Sequence, residues 1–252
     1  MAEFVYGHWA VMESMRSGRR SIEQLLLTDK TEERGMVAQI IKTAQERGVK
    51  IQRVAKRIMD DLATGGNHQN TILRVGPYPY VDTEDILSLA QKRNEKPFVL
   101  ILDLLKDPQN VGALMRVAES VGVHGIYIQE RRQVDITPAV VNASSGAVEY
   151  LYVAQVNNLV QAMKDLKEQD VWLIGLEADP TVPPLNETDL NIAVGLVLGS
   201  EGEGMRRLVR DTCDLLVSLP MRGHLGSLNV ATAGSIALYA AWQARGWEGW
   251  KK

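Results

Sequence analysis

The chain has 252 residues, 45% of them apolar and 23% charged, with a formal net charge of −3. That length can bury one large core or two ordinary ones. No run of 18 apolar residues offers a membrane span, one cysteine, Cys213, excludes an internal disulfide framework, and the mild acidity argues against a protein that coats nucleic acid without discrimination.

The charge is uneven. Residues 1–77 hold 12 Lys/Arg and 9 Asp/Glu, whereas residues 78–252 hold 16 and 22. The N-terminal MAEFVYGHWAV lacks a basic region followed by an apolar one, so no secretory signal is expected, and a cytoplasmic location is. Four scattered histidines and one cysteine give no zinc-binding pattern, and no metal is expected.

Residues 1–77 read as a small α/β unit. A helix with apolar positions at helical spacing is predicted over 5–18, stopped by Gly18. Strand 22–28, helix 32–48 closed by Gly48, strand 49–55, helix 55–66 and strand 70–75 follow. Residues 76–97 read as a connection, Gly76-Pro-Tyr-Pro-Tyr80 and then a short helix around 82–93, with the linker between domains placed at 78–97. From residue 98 the pattern changes to nearly continuous apolar strands at 98–105, 125–130, 171–178, 192–200 and 213–220. Helices are predicted between and after them at 112–122, 157–169, 204–211 and 227–245. Such strands suit a mostly parallel sheet covered on both faces. A second domain over 98–252 is therefore expected, with any ligand beyond the C-terminal strand ends. The last helix, rich in alanine and other small residues, permits close approach to a neighbour.

Three segments lie just after such strand ends: NVGALMR (110–116), GSEGEG (199–204) and PMRGHLGSLNV (220–230). The second is neither a Walker loop nor a dinucleotide fingerprint. Glu201 and Glu203 would repel phosphate, so it suits a neutral or cationic ligand; taken alone it also reads as a turn. In the third, Ser227 is a plausible N-cap, and Ser227 and Asn229 could either satisfy loop amides or hold a ribose. In the first, Pro108 and Asn110 are expected to turn the chain and Gly112 to open the helix. Arg116 would then stand in the early turns, against the helix dipole. It could pair with a surface carboxylate or grip an RNA phosphate. In the N-terminal unit, Arg19, Arg20, His68 and Gln69 are candidate RNA contacts.

Taken together and in order, the three segments resemble the motifs of the SpoU/TrmH family of RNA ribose 2′-O-methyltransferases, within the SPOUT superfamily. GHWAVMESMRSG and the His68-Gln69 loop look like the small ribosomal-protein-like domain of its 23S rRNA guanosine subgroup. The resemblance implies a deep trefoil knot formed by residues 195–235, S-adenosylmethionine bound there through Gly199, Leu219 and Leu228, and a homodimer meeting at the last helix and that of the first motif. It implies site roles for Asn110, Arg116, Glu201, Ser227 and Asn229, and methylation of a guanosine ribose in the peptidyl-transferase loop of 23S rRNA. DNA and membrane partners are not expected. Two departures stand out. Asn70 follows His68-Gln69 where glycine is common, and Ala231 stands where serine is frequent. The competing expectations are a tRNA ribose methyltransferase, a non-catalytic RNA-binding or ribosome-assembly protein, and a nucleotide-dependent α/β enzyme.

Overall fold

A computed structural model gives the structure of residues 2–250, which fall into two compact units. The first runs to Pro79 and takes in Ile136–Tyr150 from later in the chain; the second is Tyr80–Asp135 and the chain from Leu151 onward.

The first unit is built on a four-stranded mixed sheet, β1 (Glu3–Tyr6), β4 (Thr71–Val75), β2 (Ile22–Thr28) and β3 (Lys50–Val54), in that spatial order. β4 runs antiparallel to both β1 and β2, while β2 and β3 are parallel. The helices are α1 (His8–Ser17), α2 (Gly35–Glu46) and α3 (Lys56–Leu62). α1 stops at Gly18, whose φ of 67° is a left-handed conformation that glycine adopts without steric cost. β1 was not expected; its residues continue the apolar pattern of α1, and the break falls at Gly7, where φ is 88°.

The expected 98–252 domain does not hold together as one unit, because α6 (Pro138–Ala143) and the 3₁₀ turn Ala147–Tyr150 fold with the first unit. The cause is a buried ion pair. The Arg20 guanidinium, fully buried, bonds Glu149 at 3.1 Å and Glu3 at 2.6 Å. Burial pushes the Glu149 carboxyl above its usual range, and Arg20 opposes that shift. Tyr78 donates to the Val148 carbonyl, and Asn142 Nδ2 donates to the Tyr6 carbonyl.

In the second unit a six-stranded, wholly parallel sheet has the order β10 (Leu215–Ser218), β8 (Trp172–Glu177), β9 (Val194–Gly199), β5 (Phe98–Asp103), β6 (Gly125–Gln129), β7 (Val153–Val156). The central β5 and β9 are buried at every residue, as their unbroken apolar sequences require. β7 was not anticipated. The helices are α4 (Thr83–Arg93), α5 (Pro108–Ser120), α7 (Leu159–Glu168), α8 (Arg207–Thr212) and α9 (Val230–Ala244). α9 packs on α5 and β9. A Cβ on Gly234 would lie 2.5 Å from both Leu114 and Leu198, so this approach requires glycine. At the far end of α9 the Arg245 guanidinium donates to the carbonyls of Lys96, Pro97 and Ile192. After the edge strand β10 the chain therefore returns to the middle of the sheet, past the loop after β9. That return is the course a trefoil knot at this place requires.

Among the described residues no helix is long and apolar enough to cross a membrane.

Candidate active site

The parallel sheet brings β8, β9 and β5 to a common end, where the strands stop and their loops diverge. A cleft of about 830 Å³ opens there in the second unit. Its walls come from the end of β8, the loop after β9, and residues 219–221 and 225–230. The floor includes Leu198 and Ala233. Among the described residues three carboxylates line it, Glu177, Glu201 and Glu203, and no Lys, Arg or His does.

The loop after β9 is a tight reversal. Ser200 and Gly204 exchange main-chain hydrogen bonds at 3.0 and 2.9 Å, and Gly202 and Gly204 carry φ of 81° and 69°. Any Cβ on Gly199 would lie 2.1 Å from the Gly204 carbonyl carbon and the Met205 nitrogen, so glycine is obligatory where the loop folds back.

The same loop is tethered from below. Asp103, wholly buried at the end of β5, accepts from the Arg206 main-chain N–H and from its guanidinium Nε, both at 2.7 Å. Arg206 Nη2 also donates to Gln129 Oε1 at the end of β6. This clamp was missed in the sequence. Its one visible signal is an aspartate closing an otherwise apolar strand, FVLILD.

Above the loop, the three sequence segments are joined side chain to side chain. Glu201 Oε1 accepts from Asn110 Nδ2 at 2.6 Å and from Asn229 Nδ2 at 2.8 Å. Asn229 Nδ2 also lies 3.1 Å from Asn110 Oδ1. Asn229 Oδ1 in turn accepts the amides of Ala231 and Thr232, which makes Asn229 the N-cap of α9. The cap expected at Ser227 is thus displaced by two residues. Ser227 instead stays exposed in the loop and lines the cleft. Gly199, Leu219 and Leu228 line it too.

α5 begins earlier than expected. Asp107 caps it by accepting from the amides of Gln109 and Asn110, and Pro108 occupies its first turn. Asn110 is therefore held by the helix start. Arg116 falls in the third turn, beyond reach of the N-terminal dipole penalty expected for it. It is exposed on α5 and is not among the residues lining this chain's cleft. Oε1 of the exposed Glu201 is engaged with the two asparagines, and the lock it forms joins the motifs.

The candidate RNA contacts of the first unit divide. Arg20 is consumed by its buried pair with Glu149 and Glu3, and this corrects the expectation that it meets RNA. His68 is also buried, with Nε2 on Asp60 Oδ1 at 2.9 Å and Nδ1 accepting from the Asn70 amide at 3.0 Å; it builds its loop and is not a surface contact. Arg19 is half-buried and donates to the Pro79 carbonyl. Gln69 is exposed, and its Oε1 accepts the His8 amide at the start of α1. Cys213 packs against the core of the second unit, and burial pushes its thiol up to about 12, which leaves it inert.

Residues 97–239 match the model of the SpoU rRNA methylase family, and residues 4–81 match that of the RNA 2′-O ribose methyltransferase substrate-binding domain. Over 243 residues the chain is 39% identical to YacO of Bacillus subtilis, named for the TrmH family of tRNA/rRNA methyltransferases, covering 96% of each protein. A Staphylococcus saprophyticus protein named for the same family is 36% identical over 245 residues, 97% of each. Among solved structures, the SpoU methyltransferase AviRb from Streptomyces viridochromogenes, in complex with AdoMet, superposes with a TM-score of 0.78 at 22% identity, over 97% of this chain and 90% of that one. An rRNA methyltransferase from Sinorhizobium meliloti gives 0.77 at 21%, over 96% and 87%. These two likenesses concern the fold. With the three motifs joined side chain to side chain beside one cleft and both family models matched in order, the chain belongs to the SpoU rRNA methylase family of RNA 2′-O-ribose methyltransferases.

Proposed function

We propose that this protein methylates the ribose 2′-hydroxyl of a guanosine in the peptidyl-transferase loop of 23S rRNA, using S-adenosylmethionine. The observation that carries the reading is the cleft: the second and third motifs, tied to the first through Asn110, line a space with carboxylates and, among the described residues, no basic side chain. A phosphate-bearing nucleotide would be repelled by Glu201 and Glu203, and the guanidinium beside Glu177, that of Arg210 at 3.4 Å, is taken by that carboxylate, whereas a sulfonium cation gains from the acidic lining. The volume is that of a small-molecule site. These residues fit S-adenosylmethionine, with Gly199, Leu219 and Leu228 as its holders. When bound, it supplies an electrophilic methyl group on sulfur.

The chain's own part is placement. The Asn110–Glu201–Asn229 lock fixes the start of α5, the β9 loop and the start of α9 against one another, so that the cleft keeps its shape when RNA arrives. Ser227 stands in the cleft wall as a hydroxyl that can reach the ribose. The Arg116 guanidinium carries only hydrogen-bond donors and stays charged, so it cannot take the proton itself and serves as an organiser of phosphate and hydroxyl; the 2′-proton leaves to that phosphate or to water. The exposed Ile236 and Tyr239 of α9, 44% and 52% accessible, support a homodimer formed across α9 and α5. Such a dimer brings an Arg116 to the ribose. The protein would act in the cytoplasm, where its RNA is.

The test is a map of 2′-O-methyl positions in RNA from cells lacking the gene. Loss of one large-subunit guanosine methyl, restored by the gene, is the expected result. If the missing methyl lies in tRNA, the target moves there, an outcome the relatives named for tRNA/rRNA also allow; if no RNA changes, the function fails.

A further inference from the structure

With Arg20 and His68 engaged internally, the surface of the first unit that meets substrate lies elsewhere. Two of the three large apolar side chains this unit exposes among the described residues are aromatic, the third being Ile58. Trp9 is 55% accessible and Tyr150 42%. Trp9, Glu13 and Arg16 follow one another at i, i+4 and i+7 on α1 and so share a face. The Tyr150 hydroxyl donates to Glu13 Oε2 at 2.6 Å, and Arg16 donates to Glu13 Oε1 at 2.9 Å. Gly146 lets the 3₁₀ turn lie flush on this helix: a Cβ there would be 2.6 Å from Glu13 Cβ and 3.2 Å from the Trp9 carbonyl. The two rings therefore belong to one continuous surface. Side-chain amides gather at its rim. A Cβ on Gly7 would lie 2.6 Å from Asn142 Nδ2 and 3.6 Å from Gln69 Oε1, and Asn67 and Gln69 are themselves exposed.

We propose that Trp9 and Tyr150 form a stacking platform for unpaired bases of the substrate RNA, with the side-chain NH2 groups of Asn67 and Gln69, whose oxygens accept main-chain amides, placed to donate to base edges at its rim. The inference rests on the methylation reading above. Flat, accessible rings beside amide donors and acceptors are the chemistry that recognises splayed bases of single-stranded loops. The sign of the charge agrees, since residues 1–77 carry a net +3 within an acidic protein, and α1 lies inside the segment that matches the substrate-binding model. A protein partner would find on α1 a face whose Glu13 is already closed by Arg16 and Tyr150.

The experiment compares the full-length protein with Trp9→Ala and Trp9→Phe, using in vitro transcribed, unmodified 23S rRNA. Trp9→Ala is expected to raise KM for the transcript about tenfold, the size of one lost base stack. kcat, the dissociation constant for S-adenosylmethionine and Tm should stay as in the parent. Trp9→Phe should recover most of the loss, because the ring and not the indole N–H does the stacking. An unchanged KM in Trp9→Ala overturns the proposal, as does a phenylalanine variant no better than alanine. If the parent transfers no methyl to any RNA, the methylation reading is the part that fails. The platform is then judged by binding of a single-stranded oligouridylate to parent and Trp9→Ala, where equal affinity overturns it. Loss of ribosomal-particle binding by Trp9→Ala with unchanged affinity for naked RNA points to a protein partner and also overturns it.

Discussion

Asp103, buried at the end of β5, holds Arg206 by its main-chain N–H and its guanidinium at once, each at 2.7 Å. The pair connects the floor of the sheet to the loop that carries Glu201. Arg206 is 40% accessible on its side chain, so solvent screens part of its charge, whereas the carboxylate is wholly enclosed. Asp103→Asn keeps one acceptor and loses the charge. It should cost about 1–3 kcal/mol in urea unfolding, the size of a buried polar group left imperfectly paired. It should also weaken S-adenosylmethionine binding by calorimetry more than Arg206→Lys does, because the lysine keeps the main-chain bond. Equal cofactor affinity in parent and Asp103→Asn would show that the loop keeps its shape without the clamp.

Glu201 receives two asparagine amides from two other motifs, and it is exposed. Its replacement should therefore hurt geometry more than folding. Glu201→Ala is expected to lower kcat by roughly 100-fold, the cost of misplacing reacting groups by an ångström, with little change in Tm. Glu201→Gln can still offer one carbonyl oxygen to both donors and should retain more activity than alanine. Single-turnover methyl transfer separates these outcomes. A glutamine variant as inactive as alanine would assign Glu201 a role for its charge, not its hydrogen bonds.

Most of the parallel sheet was legible because its strands are apolar from end to end, and β2 appears with the bounds its sequence suggests, Ile22–Thr28. The placement of 136–150 was not, because Arg20 and Glu149 are 129 residues apart and neither carries a local pattern that announces its partner. The same blindness affected the site. Sequence displays that Arg20 and His68 are polar, but burial decides what a polar group touches, and both proved to be internal. Ser227 and Asn229 are equally good caps by composition. Asn229 takes the position because its amide also closes on Glu201 and Asn110. The order of the three motifs could be read from the chain; that they lock to each other through one carboxylate needed the fold.

Arg116 stands on α5, away from the cleft lining of its own chain. If a homodimer across α9 and α5 brings an Arg116 to the ribose, two substitutions should fail in different ways. Arg116→Ala should abolish transfer, keep the dimer by light scattering, and bind S-adenosylmethionine as the parent does. Ile236→Asp puts a charge on the exposed stripe of α9 and should yield a monomer that is inactive alone. Near-parent transfer by Arg116→Ala would remove its assigned role, and a fully active monomer would remove the dimer's. Activity of the parent should survive a chelator, since the chemistry needs no metal.

His124 supplies a pH dependence at the opposite end of the sheet. Its ring is 2% accessible, its Nδ1 accepts the Phe98 amide at 3.0 Å, and its Nε2 meets Glu95 at 2.9 Å. Burial lowers its pKa, outweighing the carboxylate of Glu95, which pulls it upward, while Arg93 and Arg245 add to the lowering. An unfolded histidine titrates near pH 6.5. Between that value and the lower folded one, the unfolded chain binds more protons than the native chain, so stability rises with pH there. The contribution is complete above about pH 6.5 and is lost as pH falls through the window beneath it. Urea unfolding at pH 7.5, 6.5 and 5.5 should therefore give a steeper acid loss in the parent than in His124→Asn, which keeps an acceptor near the Nδ1 position and cannot take up the proton. Parallel pH profiles for the two proteins would show that the acid sensitivity arises from other groups.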